Sequence, residues 1–244
     1  GRSYRGGILG LKEWYARGTW FHGGLNGIPK TFDHIVFSTM FQQDLYDRFY
    51  RHLPLRSVIE NAFPEGEPIL HRRHEPLRLL FLGRFVAFKN ISSLLTSLVD
   101  LPDMQLTLTG VGPMEKQLRA ETQSLGLSER VSFQEPIAGN KKQNAFLEHD
   151  LLVLPSFTEL SPNVALEARA AGLPVLLTEE TGLSRSLTEG SALRTLKTSA
   201  EITVALRDIR DNYEQLADRA GSPLPKRGWD DVCSEHLTLF RSLL

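Results

Sequence analysis

Cysteine is nearly absent: Cys233 is the only one in 244 residues. That excludes an intrachain disulfide framework and any multi-cysteine metal site, and it fits a reducing compartment. Long apolar runs are missing too. The longest, Leu79–Leu82, Leu151–Pro155 and Pro174–Leu177, fall far short of the roughly 20 residues that span a bilayer. Neither sign of charge dominates, with 28 Lys and Arg against 29 Asp and Glu and a net charge of −1. A dedicated nucleic-acid binder is therefore not expected on electrostatic grounds. The N-terminus lacks the apolar core of a signal peptide, because Gly1–Gly10 is rich in Gly and Arg. The seven histidines are scattered without metal-ligand spacing. No internal repeat or low-complexity segment is evident.

The chain does contain enough apolar residues, 41%, for a packed core. At roughly 150 residues per domain its length lies between one domain and two. It opens on Gly1 rather than Met, which suggests a processed or excised segment.

The first thirty residues are Gly-rich and irregular, with a weakly signalled helix at Leu9–Arg17. Phe32–Ser38 reads as a buried strand, Met40–Arg51 as a helix with Phe41, Leu45 and Phe49 on one face, and Ser57–Ile59 as a short strand. Pro64–Pro76, polar and containing proline, reads as a linker. Strict alternation follows. Strands are expected at Leu77–Leu82, Gln105–Thr109, Val131–Gln134, Leu151–Pro155 and Pro174–Thr178, with another at Leu193–Leu196. Helices are expected at Asn90–Val99, Met114–Leu125, Lys141–Glu148, Asn163–Ala171, Ala200–Ala217 and Trp229–Leu244. Gly126 and Gly172 stand where a helix C′ residue belongs. Alternating strands and helices predict an α/β fold, a Rossmann-like parallel sheet with helices on both faces. In such sheets ligands bind beyond the carboxyl ends of the strands.

Three clusters lie in strand-to-helix loops. Gly83-Arg84-Phe85 with Lys89 puts two cations at a helix start, where free N–H groups and the helix dipole already favour an anion. Two solvated surface cations are the plainer reading. Gly110-Val111-Gly112-Pro113 makes a tight turn expected to face a ligand, although it is neither a dinucleotide fingerprint nor a P-loop. Pro155-Ser156-Phe157-Thr158-Glu159-Leu160-Ser161-Pro162-Asn163-Val164 leads into a helix carrying Glu167. Its two carboxylates can accept hydrogen bonds from vicinal hydroxyls, and the amides between them suit a phosphate. A paired-carboxylate glycosidase is an alternative, although Arg84 and Lys89 favour a phosphorylated ligand.

Taken in order, Gly83-Arg84-Phe85 with Lys89-Asn90, then Gly110-Val111-Gly112-Pro113, Val131-Ser132-Phe133, Pro155-Ser156-Phe157-Thr158-Glu159 with Glu167-Ala168, and Ala171-Gly172-Leu173-Pro174-Val175, this sequence resembles the C-terminal domain of retaining nucleotide-sugar glycosyltransferases. These are the GT-B enzymes of glycosyltransferase group 1 (family four), with their E-x7-E signature. The resemblance begins near Leu77. Phe32–Ser38 and Arg56–Phe63 are similar to the end of that fold's N-terminal domain. The implied organisation is residues 1–76 as the end of the N-terminal, acceptor-side domain with its linker, and 77–244 as the nucleotide-sugar-binding domain with a C-terminal crossing helix.

The resemblance implies transfer of a sugar from a nucleoside diphosphate to an acceptor, with retention at the anomeric carbon. Arg84, Lys89 and Glu159 would be catalytic, the cations on the diphosphate and Glu159 on the sugar hydroxyls. Gly83, Gly110, Gly112, Gln134, Ile137, Ser161, Asn163, Val164 and Glu167 would complete the donor site. Within it Glu167 would meet the ribose, and Phe133–Ile137 the base. No metal or other cofactor is expected. Glu135 replaces a frequent family glycine and leaves the base open, while Asn61-Ala62 replaces a frequent Asn-Gly.

The implied partners are the donor, a glycan, lipid or small-molecule acceptor, and a missing N-terminal domain. No nucleic acid is expected. A non-catalytic sugar-nucleotide-binding module, needing a separate N-terminal domain, is the alternative. A sugar-nucleotide epimerase lacks clear acid and base candidates. Trp14, Trp20 and Phe21 with Lys12 and Arg17 read either as a membrane-surface patch or as a face packed against missing chain. The expected location is cytoplasmic, with peripheral contact on the inner membrane face. His71 and His74 read as solvated, and Cys233 as buried.

Overall fold

The computed structural model describes residues 33–49, 54–183 and 190–244. The helix read at Leu9–Arg17 and the aromatic patch at Trp14, Trp20 and Phe21 lie outside them. The described residues form two compact units. One holds those up to Ala62 together with Arg227–Leu244, and the other is Phe63–Lys226. The sequence resemblance implies a boundary at residue 76, with the last helix in the second domain. By contacts, residues 63–76 group with the second unit and the last helix with the first.

In the first unit β1 (His34–Phe37) and β2 (Leu55–Val58) pair in parallel, with His34 opposite Leu55. Helix α1 (Met40–Phe49) connects them in sequence, and its Tyr46 ring lies 5.1 Å from that of Phe37. Helix α8 (Trp229–Leu243) completes the unit. Arg227, just before it, clamps Glu235 through two nitrogens and donates to the Glu60 carbonyl at 2.9 Å. Cys233 is exposed on this helix, contrary to the expectation that it is buried.

The second unit is a six-stranded parallel sheet. Its strands are β3 (Leu77–Leu82), β4 (Met104–Thr109), β5 (Val131–Gln134), β6 (Leu151–Leu154), β7 (Val175–Thr178) and β8 (Ser191–Arg194). Their order is β5-β4-β3-β6-β7-β8, and every pairing is parallel. The side-chain period of two divides the central strands β3, β6 and β7 between two cores. Leu79, Phe81, Leu106, Leu108, Leu151, Val153 and Leu176 face one cluster. That cluster includes residues of α2 (Ile91–Ser97), α3 (Glu115–Ser124), α6 (Ser199–Asp211) and α7 (Tyr213–Ala220). Leu80, Leu152, Leu154, Val175 and Leu177 face the other, with α4 (Asn140–Glu148) and α5 (Asn163–Ala170). Burial on both faces explains why β6 and β7 are nearly unbroken apolar runs, whereas β4, β5 and β8 also carry polar residues.

Helix ends follow from local chemistry. Gly126 (φ 69°) and Gly172 (φ 85°) take the left-handed conformation that glycine adopts without a Cβ penalty. Each closes a six-to-one bond, from Leu127 N–H to Thr122 O at 2.9 Å and from Leu173 N–H to Ala168 O at 2.9 Å. Thr198 and Glu201 form a reciprocal capping box at the start of α6. The single helix read at Ala200–Ala217 is two. The chain turns at Asn212, whose side chain donates to Asp208 O at 3.0 Å, while the apolar spacing runs on through Tyr213 and Leu216.

The segment read as a polar linker also packs into the second unit. Ile69 N–H donates to Ala171 O at 3.2 Å. His71 is buried rather than solvated, and its Nδ1 bonds the His149 carbonyl at 3.1 Å. His74 meets the fully buried carboxylate of Asp150 at 2.7 Å.

Candidate functional site

The strand order reverses between β3 and β6. Chain leaving β3 turns toward β4, and chain leaving β6 turns toward β7. Such a reversal opens a crevice at the carboxyl edge, between the two loops that diverge there. The loops are Gly83–Asn90 and Pro155–Pro162, which carry two of the three clusters seen in the sequence.

The first loop is braced by the glycine turn that follows β4. Phe85 N–H donates to Val111 O at 2.9 Å, and Met114 N–H to Phe85 O at 3.0 Å. A Cβ on Gly110 would lie 1.9 Å from the Gly83 oxygen, and one on Gly112 would lie 2.3 Å from the Phe85 oxygen. These glycines were expected to press against a ligand. In the structure they let two backbones touch, and their contacts hold Gly83-Arg84-Phe85 in place. Arg84 is exposed and pairs with none of the described side chains.

Lys89 ends a 3₁₀ turn (Ala87–Lys89), and Asn90 follows in the left-handed region at φ 55°. The buried Asn90 amide donates to the Leu196 carbonyl at 2.8 Å, which ties the turn to the chain beyond β8. From this anchor the Lys89 ammonium lies 5.1 Å from the Phe88 ring centre and forms an ion pair with Oε1 of Glu159. The two side chains are 16% and 9% exposed, so water screens the pair poorly.

Glu159 is held through its backbone and through one carboxylate oxygen. Its N–H donates to Glu180 O and its carbonyl accepts from Gly182 N–H, both at 2.9 Å, which pins its backbone to the loop after β7. Ser156, fully buried, donates from Oγ to the same Oε1 at 2.5 Å. The other oxygen, Oε2, has no partner among the described residues. Neither the ion pair nor the serine was foreseen. The only signal in the sequence was that both loops had to leave the same sheet edge.

Helix α5 starts beside this loop. Pro162 holds the N-cap position in extended conformation and offers no side-chain bond, so the helix start is uncapped. The N–H groups of Asn163 and Val164 have no acceptor among the described residues, whereas Ala165 N–H already reaches Pro162 O at 2.9 Å. Ser161, just before, is half-buried. Glu167, on the same helix, pairs with Lys142 of α4 at 2.7 Å, a contact absent from the sequence reading. Gln134 has an exposed side chain and accepts Gly110 N–H at its carbonyl, while Ile137 packs on the core beside α4. Phe133 stands edge-on to Phe85 and lies under Arg119, 4.3 Å from the guanidinium.

One charged group further along α5 is strongly perturbed. Arg169 of α5 is buried, and burial pulls its guanidinium down to about 10. It donates to the Ala220 carbonyl and to Arg219 O at 3.3 Å, capping the end of α7. Among the described residues no three acidic, His or Cys side chains gather as a metal site, and no helix is long and apolar enough to cross a membrane.

Residues 64–219 match the family model described as "Glycosyl transferases group 1". The chain belongs to that family. Among its relatives, D-inositol 3-phosphate glycosyltransferase of Paenarthrobacter aurescens is 28% identical over 182 residues, which are 69% of this chain and 45% of that one. The Mycobacterium sp. (strain KMS) protein of the same name is 33% identical over 116 residues, 45% of this chain and 26% of its own. This group 1 chain therefore spans less than half the length of these relatives.

Solved structures agree on the fold. Sucrose-phosphate synthase from Thermosynechococcus elongatus superposes with a TM-score of 0.78 at 19% identity, over 96% of this chain and 66% of that one. Anabaena HepE in complex with UDP gives 0.70 at 16% identity, over 89% and 66%. The sheet with helices on both faces is thus the Rossmann-like sheet of GT-B glycosyltransferases.

Proposed function

We propose that this chain is the donor-binding part of a glycosyltransferase that moves a sugar from a nucleoside diphosphate to an acceptor, with retention of anomeric configuration. The observation that carries the reading is the meeting of Lys89 and Glu159 at the strand-order reversal. A cation suited to a phosphate and a carboxylate suited to sugar hydroxyls then share one crevice. The uncapped start of α5 lies next to it in the chain. The relatives' printed activity, glycosyl transfer to an inositol phosphate, supports the same class of reaction.

In this reading Arg84 and Lys89 bind the diphosphate, and the amides of Asn163 and Val164 add donors from a helix start. Glu159 accepts from sugar hydroxyls and Glu167 from ribose hydroxyls. Phe133–Ile137, with Gln134 and Ile137, borders the base. Gly83 and Ser161 line the crevice, and Gly110 and Gly112 hold its first loop. As the bond from the anomeric carbon to the diphosphate breaks, negative charge grows on the leaving phosphate. Fixed cations and amides aimed at that charge stabilise it without reorganising, which is the main source of acceleration in such sites. These groups supply the role a metal plays elsewhere, so we propose transfer without a metal or other cofactor. The acceptor, a glycan, lipid or small molecule, meets the donor with the help of further N-terminal chain. The reaction is placed in the cytoplasm, with peripheral contact at the inner membrane face.

Calorimetric titration with UDP-glucose, GDP-mannose and ADP-glucose tests this. Binding of at least one, weakened by Arg84→Ala and by Glu167→Ala, is expected. No binding of any by the parent chain overturns the reading, and so does binding that both variants leave unaltered.

A further inference from the structure

Two donors converge on a single oxygen of Glu159. The Lys89 ammonium and the Ser156 hydroxyl both reach Oε1, while Oε2 has no partner among the described residues. A free carboxylate rotates readily about its last bond and would present either oxygen. With its backbone fixed by Glu180 and Gly182, and Oε1 fixed from two directions, this carboxylate has one orientation left.

The two donors are not equivalent. Lys89 has a long flexible stem and is drawn toward any phosphate that enters, so its hold on Glu159 weakens when a diphosphate binds. Ser156 cannot be drawn away. It lies at the end of β6, has no exposed surface, and its hydroxyl reaches the carboxylate at 2.5 Å. A short bond to a charged acceptor is also the stronger kind.

We propose that Ser156 is a positioning residue for sugar recognition, one that keeps Oε1 of Glu159 occupied and so reserves Oε2 for a hydroxyl of the donor's sugar. This rests on the donor-binding reading given above. Ser156 itself does not touch the ligand. Its effect belongs to the sugar half of the donor, and the nucleotide half is insensitive to it. A merely structural serine would affect both halves alike.

The test compares affinities for UDP with UDP-glucose, and for GDP with GDP-mannose, in the parent chain, Ser156→Ala and Ser156→Thr. Melting temperatures are measured alongside. For the pair the parent binds more tightly, Ser156→Ala is expected to leave nucleotide affinity within about twofold and to weaken sugar-nucleotide binding by about 5- to 10-fold, the net effect of one well-placed hydrogen bond. Ser156→Thr, which retains the hydroxyl, is expected to recover that preference. Equal losses for nucleotide and sugar nucleotide, no loss for either, or failure of the threonine to rescue a folded alanine variant overturn the proposal. If the parent chain binds no nucleotide at all, the donor reading itself falls and this inference with it. If the parent binds and prefers the sugar nucleotide while Ser156→Ala behaves like the parent, only the serine's role falls.

Discussion

Lys89 and Glu159, separated by 70 residues in the chain, share a largely buried ion pair at the point where the strand order reverses. Removing one member of such a pair strands the other. Lys89→Met is expected to destabilise the second unit by about 3 kcal/mol, because an uncompensated carboxylate remains at a site 9% exposed. It should also weaken nucleotide binding by more than about tenfold, the loss of a charge-assisted contact. Lys89→Met with Glu159→Gln should regain most of the stability and none of the affinity. Thermal melting and calorimetry on the same preparations separate the two effects.

Glu167 gives a second handle, on the ribose. Its partner Lys142 and the carboxylate itself are 22% and 27% exposed, so the pair contributes under about 1 kcal/mol to stability. Glu167→Ala should therefore melt close to the parent. The parent is expected to prefer UDP to its 2′,3′-dideoxy counterpart by about tenfold, and the variant to show no preference. An unchanged preference would remove Glu167 from the ribose site.

The glycines divide by cause. At Gly126 only the backbone angle matters, since nothing lies within 4 Å of an added Cβ. Gly126→Ala should cost about 1 kcal/mol. At Gly110 and Gly112 the added carbon collides with carbonyls of the neighbouring loop. There alanine should cost about 3 kcal/mol or more and should also lower nucleotide affinity, because the displaced loop carries Arg84. Urea titration of the three variants orders them.

Acid should weaken the second unit through its buried histidines. Burial lowers both His71 and His149 below the usual 6.5. His149 is satisfied as a neutral ring, with Nδ1 donating to Ala145 O at 2.7 Å and Nε2 accepting from the Thr107 hydroxyl at 2.9 Å. Well above pH 6.5 both rings are neutral, folded or unfolded, and contribute no pH dependence. Below it the unfolded chain takes up protons that the folded chain refuses. Stability therefore falls as the pH drops from 6.5 until the folded pKa values are passed. His149→Gln should flatten that slope in melts between pH 7.5 and about 5. A slope identical to the parent's would assign the loss to other groups.

Much of the sheet was legible because a parallel strand buried on both faces leaves an apolar run, as at β6 and β7, and one buried on a single face leaves an alternation, as at Val131–Gln134. Leu77–Leu82 and Val131–Gln134 fall on the residues read from sequence, and β4, β6 and β7 fall within a residue of it. Reading failed where tertiary contact overrides local pattern. Apolar spacing continues through Asn212 although the helix does not. The polar look of residues 64–76 concealed that His71 is buried and that Ile69 bonds to Ala171. At the site, residue types and loop positions could be read, but partners could not. The Lys89–Glu159, Ser156–Glu159 and Lys142–Glu167 contacts depend on side-chain reach across loops and helices, which no local pattern encodes.

The neighbouring strands β3 and β6 have a consequence for how the site comes into being. They touch in the sheet, yet the chain joins them only through β4, β5 and the intervening helices. The crevice is therefore a late, non-local product of folding, and no contiguous fragment shorter than β3 to β6 can hold both of its walls. A ligand that bridges Lys89 and Glu159 would act as a clasp on the whole sheet and raise its unfolding temperature with concentration. Occupancy of the site and integrity of the fold are then one measurement.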